Sequence, residues 1–136
     1  MENRRGQTSV EYILALTATV IMVAAIMVGG FRELELDLAL ASARIGGVEF
    51  ASQHPYFSLG RIDYSVNDTD NTVTMRPRYT AYASSPVTEG QVADANNRSF
   101  WQVKEIYAPH APVLGADYCQ NGTYRRYCIN ASITPA

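Results

Sequence analysis

At 136 residues the chain has room for one domain of ordinary size and one membrane segment. Its net charge of -2, with only 18% charged residues, offers no basic field that could hold a nucleic-acid backbone, which makes nucleic acid a poor partner class. Hydrophobic residues make up 47% but crowd towards the N-terminal end, and from about Tyr56 onward the chain is polar and rich in Tyr, Thr, Ser and Asn.

The chain opens Met1-Glu2-Asn3-Arg4-Arg5-Gly6-Gln7-Thr8-Ser9-Val10-Glu11-Tyr12 and then turns apolar. Residues 13–28 carry no charge, and their only polar side chains are Thr17 and Thr19. As a helix, residues 13–30 would measure about 27 Å, close to the thickness of a bilayer core. An ordinary secretory signal would be cut just after this run at small residues. The run instead ends in Gly29-Gly30 and meets Phe31-Arg32-Glu33-Leu34-Glu35, and the small residues of 39–43 come too late, beyond four charges. A plain signal anchor is compatible with Arg4 and Arg5, which would keep the N-terminus cytoplasmic. It leaves Glu11 unexplained. A carboxylate there costs on the order of 2–3 kcal/mol if buried near the bilayer centre, and less near the interface.

The segment from Arg4-Arg5-Gly6 through Gln7-Thr8-Ser9-Val10-Glu11-Tyr12 resembles the class III signal peptide of archaeal type IV pilins. The resemblance covers about 25 residues. It implies that a prepilin peptidase cuts on the cytoplasmic side between Gly6 and Gln7, and that Glu11, fifth in the mature chain, neutralises the freed N-terminal amine of a neighbouring subunit. The physics agrees with that role, because an ion in an apolar bundle is costly unless paired. Bacterial tight-adherence pilins share a similar Gly-x-x-x-x-Glu-Tyr start, but most are far shorter, without a polar segment of this size.

Charges return after Gly30, yet Phe31, Leu34, Leu38, Ala41, Ile45 and Val48 step by three and four, a narrow helical stripe. Residues 33–38 also alternate as a strand would, but the Ala-rich stretch 39–43 favours a helix continuing from the membrane segment. The stripe is expected to pack against the chain's own head. Gly29-Gly30 is an expected weak point where the helix bends or melts, and Gly46-Gly47 lies near its end.

Residues 61–66 and 72–76 alternate around the turn chemistry of Asn67-Asp68-Thr69-Asp70-Asn71, which predicts a β-hairpin. Pro77 predicts that the second arm is an edge strand or is broken there. Residues 84–97 read as a surface loop, 100–107 as a third strand and 124–133 as a fourth. The expected fold class is α+β: a long apolar helix, then a small antiparallel sheet packed on the C-terminal half of that helix.

Cys119 and Cys128 fall in the segment placed outside the cell, with Gln120-Asn121-Gly122-Thr123 opening the turn between them, and are expected to form a disulfide. Metal binding would need more ligands, and His54 and His110 stand alone in loop segments. Asp68 and Asp70 lack the glycine and distal glutamate of a calcium loop. Four Asn-x-Ser/Thr sequons, at Asn67, Asn97, Asn121 and Asn130, all lie in the head and point to N-glycosylation, and with it to an archaeal source. An Asn- and Thr-rich surface also produces sequons by chance. No Ser/His/Asp set, phosphate-cradling loop or paired His spacing suggests an enzyme, and no cofactor is expected.

The organisation expected is a signal peptide over 1–6, a membrane and filament-core helix over 7–30, its amphipathic continuation over 31–52 and an extracellular β-rich head over 53–136. The expected function is a structural pilus subunit that leaves the cytoplasmic membrane for the cell surface, polymerises with copies of itself and displays the head for adhesion. Its partners would be the prepilin peptidase, the assembly machinery and, before assembly, the membrane. The alternative is a single-pass membrane protein whose head binds a ligand or partner without polymerising.

Overall fold

The computed structural model describes residues 2–82, 86–108 and 117–136, with side-chain surroundings from Thr8 onward. Ser84 and His110 lie outside the described residues. Helix α1 spans Glu2–Gln53 without a break, so it does not melt at Gly29-Gly30. Two glycines cost a helix roughly 2 kcal/mol against alanine, too little to interrupt one flanked by long runs of better formers. The helical reading of residues 33–38 holds against the strand alternation. The chain divides into two compact units, Met1–Leu34 and Glu35–Ala136.

In the second unit, α1 is followed by β1 (Phe57–Asn67), β2 (Thr72–Ala81), α2 (Glu89–Tyr107), β3 (Cys119–Asn121), β4 (Arg126–Ile129) and β5 (Ser132–Pro135). The predicted hairpin is present. Its turn is held by Asx bonds, the Thr69 N–H donating to Asn67 Oδ1 (3.0 Å) and the Thr72 N–H to Asp70 Oδ1 (3.2 Å). Asn71 closes it at φ 57°, a left-handed conformation that asparagine tolerates well.

The sheet is mixed rather than purely antiparallel. Its order is β1-β2-β4-β3, with β5 also on β2; β1/β2 and β3/β4 are antiparallel, while β4 and β5 both run parallel to β2. The predicted fourth strand is therefore two strands, parted at Asn130-Ala131. Across that gap the Asn130 N–H donates to the Met75 carbonyl (2.9 Å), and the Ala131 N–H donates to Asn96 Oδ1 of α2 (2.7 Å).

Pro77 neither breaks β2 nor puts it at an edge. β2 is central, paired on one side with β1 and on the other with β4 opposite residues 72–75 and β5 opposite residues 78–81. The carbonyls of Met75 and Ala81 both point to the β4/β5 side, where they accept from Asn130 and Ala136. By strand alternation the Pro77 nitrogen faces that side too, at the interval between the two partners. The missing N–H thus costs no ladder bond.

The largest correction is α2, which occupies residues expected to be loop and strand. Thr88 caps it with a full capping box, its hydroxyl accepting from the Gln91 N–H (3.3 Å) while Gln91 Oε1 accepts from the Thr88 N–H (3.0 Å). Ala95, Ser99, Phe100 and Val103 then repeat at helical spacing on the buried face.

The core lies between the C-terminal half of α1, α2 and one face of the sheet. Leu36, Ala39 and Ala43 meet Val73, Met75, Phe100, Val103, Tyr127 and Ile129, and Phe50 meets Tyr79, Ala95 and Ala131. The head does pack on α1, but not on the expected stripe. It packs on a row of mostly small residues, and Leu38, Ile45 and Val48 lie outside it, 46%, 59% and 54% exposed. Small residues let backbones approach: a Cβ on Gly46 would sit 2.5 Å from the carbonyl oxygen of Arg98 and 2.6 Å from Cα of Ser99. Gly46, close to the end of α1, is a contact point with α2.

Candidate functional site

Residues 8–31 of α1 are exposed throughout, among them Leu14, Leu16, Ile21, Met22 and Ile26. The two polar side chains of the apolar run are satisfied inside the helix, Thr17 donating to the Ile13 carbonyl and Thr19 to that of Ala15, both at 2.8 Å. The run therefore presents hydrocarbon and no unpaired hydroxyl, as a lipid-facing helix must. Among the described residues this is one helix long and apolar enough to cross a membrane. Glu11 is exposed, and it is the only charged side chain between Thr8 and Phe31. Gly6 and Gln7 belong to the helical backbone of α1.

In the head, Cys119 and Cys128 are cross-strand partners in the β3/β4 pair and form the expected disulfide. Glu35 fastens this hairpin to α1. The residue is only 7% exposed, and both its carboxylate oxygens accept from the Tyr124 N–H at 3.2 Å. Gly122 makes room for that approach, since a side chain there would collide with the carboxylate. The Tyr107 hydroxyl donates to the Glu35 carbonyl (3.0 Å), and the Tyr107 and Tyr127 rings stack at 5.6 Å. Burial, reinforced by the nearby Glu35 charge, pushes the Tyr107 phenol up to about 12 and raises Tyr127 as well. In sequence Glu35 looks like one more surface acid of an alternating run, and nothing local distinguishes it from Glu33.

The sequons separate by geometry. Asn67 ends β1 and is exposed together with Thr69. Asn121 ends β3, exposed with Thr123, and Asn130 lies in the β4–β5 gap, exposed with Ser132. Asn97 differs. It is exposed on α2, but Ser99 of its sequon is fully buried and its hydroxyl donates to the Ala43 carbonyl at 3.0 Å. His54 packs against Phe50 at the end of α1, with Nδ1 3.0 Å from the Phe50 carbonyl, a structural arrangement. Comparison with known protein families, with curated proteins and with solved structures finds no match.

Proposed function

We propose that the chain is the structural subunit of an extracellular filament of the type IV pilus kind, assembled through α1 and displaying the residue 35–136 unit at the surface. The observation that carries this reading is an apolar helical surface, exposed from Thr8 to Phe31, interrupted by one carboxylate near its start. Water cannot solvate such a surface cheaply, so it belongs in lipid or against other apolar helices. Glu11 is tolerable in either place if a cation meets it, and the amine freed by a cut between Gly6 and Gln7 supplies one on a sister chain. The outward row of Leu38, Ile45 and Val48 extends the demand for apolar partners into the head's own segment. On this reading a prepilin peptidase processes the chain at the cytoplasmic membrane, and the sequence favours an archaeal source. The head serves adhesion and carries glycans on Asn67, Asn121 and Asn130. Asn97 stays bare once the head has folded, because its sequon serine is out of a transferase's reach.

The test is intact mass and N-terminal sequencing of protein sheared from the cell surface. A chain starting at Gln7 supports the reading, and added mass locates the glycans. A chain that keeps Met1 to Gly6 and stays in the membrane fraction makes the protein an anchored monomer instead. Glu11→Ala should insert normally yet assemble poorly, while Gly6→Val should accumulate as precursor.

A further inference from the structure

An open groove of about 370 Å³ runs along the head between the end of α1 and the outer face of α2. Its floor is a hydrogen-bonded set. Arg98 Nη1 donates to Glu49 Oε1 (2.9 Å), Arg98 Nε meets Asp94 at 3.4 Å, and Gln102 Nε2 donates to Glu49 Oε2 (3.3 Å). Beside this set lie the Asn97 amide and the indole of Trp101, which is 42% exposed. The Lys104 ammonium lies over the same indole, 4.7 Å from the ring centroid.

We propose that this groove binds a neutral saccharide. The charge pattern disfavours ions of either sign. Three carboxylates, Glu49, Asp94 and Glu105, would repel an anion, while Glu49 and Asp94 are already engaged by Arg98 and Gln102 and so are poorly placed to hold a cation. What remains is a surface of planar donors and acceptors beside a flat apolar ring. Arg98, Asn97 and Gln102 donate, the carboxylates and amide oxygens accept, and adjacent hydroxyls of a pyranose do both. The apolar C–H face of a sugar ring stacks on the indole face opposite the Lys104 ammonium, burying hydrocarbon that water would otherwise cover. The volume lies near the small end of the roughly 300–1,000 Å³ range of small-molecule sites, enough for one or two sugar rings. Because Arg98 and Gln102 are already fixed by Glu49 and Asp94, binding orders few additional rotamers. Asn97 contributes because its buried sequon serine keeps its amide free of a glycan.

This inference deepens the adhesive part of the proposed function and rests on that part alone. Trp101 is the protein's single tryptophan, so its emission reports directly on the groove. The full-length chain, held in a sugar-free detergent such as an amine oxide, is titrated with cellobiose, chitobiose, lactose, maltose and mannobiose. At least one should shift the Trp101 emission saturably, and Asn97→Ala and Gln102→Ala should each weaken that response about tenfold. Both variants keep the core side chains, and an unchanged circular dichroism melt confirms their fold. The proposal is overturned if no disaccharide gives a saturable shift, or if the response survives both variants unaltered. A response confined to benzylamine or glucuronate, included as charged probes, also overturns it. The titration uses unassembled chain, so its failure leaves the filament reading untouched.

Discussion

Gly46→Ala should destabilise the head even though alanine is the better helix former. The gain from removing a mid-helix glycine is about 1 kcal/mol. Against it stands a Cβ placed 2.5 Å from the Arg98 carbonyl oxygen, 2.6 Å from Ser99 Cα and 2.7 Å from the Arg98 carbonyl carbon. All three atoms are backbone, so no rotamer can relieve the clash and α2 itself must shift. Overpacking of this kind costs roughly 1–3 kcal/mol, and a rigid backbone opponent puts the cost at the upper end. Moving α2 also lengthens the buried Ser99–Ala43 hydrogen bond, whose net contribution is about 1 kcal/mol. The sum is a net loss of about 3 kcal/mol, or roughly 12–24 °C in Tm for a domain of 60–100 residues. Two other alanines calibrate the measurement. At Gly47 the opposing atoms, 2.9 Å away, are the ends of the Leu59 and Tyr79 side chains, which can move, so the loss should be smaller. At Gly90, in the first turn of α2, the nearest atom is 3.9 Å away and alanine should leave stability unchanged or raise it. Thermal unfolding in detergent, followed by circular dichroism and Trp101 emission, should rank them Gly90→Ala, native, Gly47→Ala, Gly46→Ala. A Gly46→Ala head that melts at or above the native temperature would refute the close approach of α2 to α1.

Replacing Cys119 and Cys128 together by serine should lower head stability by roughly 2–3 kcal/mol, the expected effect of opening a loop this short, read from denaturant unfolding. Tyr107 is raised from 10.0 to about 12 and Tyr127 and Tyr79 are raised too, so the folded head binds more protons than the unfolded chain once pH exceeds 10. Stability should be full below pH 10 and decline as pH climbs towards 12, with Tyr107→Phe showing a shallower decline; equal slopes for the two proteins would contradict the burial of Tyr107. Peptide mapping of surface-sheared protein should find glycans among Asn67, Asn121 and Asn130 and none on Asn97, and a glycan on Asn97 would mean that modification precedes folding.

The hairpin was legible because its signals are local: two alternating runs flank a five-residue stretch of Asn, Asp and Thr, and the turn is held by those side chains. The disulfide was legible for the same reason, with two cysteines bracketing one short turn. α2 was missed because polar residues at 84–97 and aromatic ones at 100–107 suggested a loop and a strand. Its one clear sequence mark is the Thr88-Glu89-Gly90-Gln91 capping box, after which Val92, Ala95, Ser99, Phe100 and Val103 keep helical spacing. The direction of β4 and β5 was beyond local reading, since parallel pairing with β2 depends on α2 returning the chain to the other end of the sheet. Glu35 was equally hidden: its role comes from Tyr124, 89 residues away.

The misplaced stripe is the most informative of these differences. Periodicity reports that Leu38, Ala41, Ile45 and Val48 share a face of α1, but it does not say what covers that face. The head instead chose the face of Leu36, Ala39, Ser42, Ala43, Gly46, Gly47 and Phe50, because small side chains let a sheet and a second helix come close. α1 therefore has two packing surfaces in this segment, a small-residue face filled by the chain itself and a large-residue face that the chain leaves in contact with solvent. A helix that needed only to support its own head would carry charged residues along the far side, as it does at Asp37 and Arg44. Leucine, isoleucine and valine there, each about half exposed, are the residues expected if that side is meant for another apolar surface. On the filament reading that surface is a sister helix. Asp substitution at Ile45 should then leave the melting of the isolated chain nearly unchanged while reducing assembly, whereas in an anchored monomer it should affect neither.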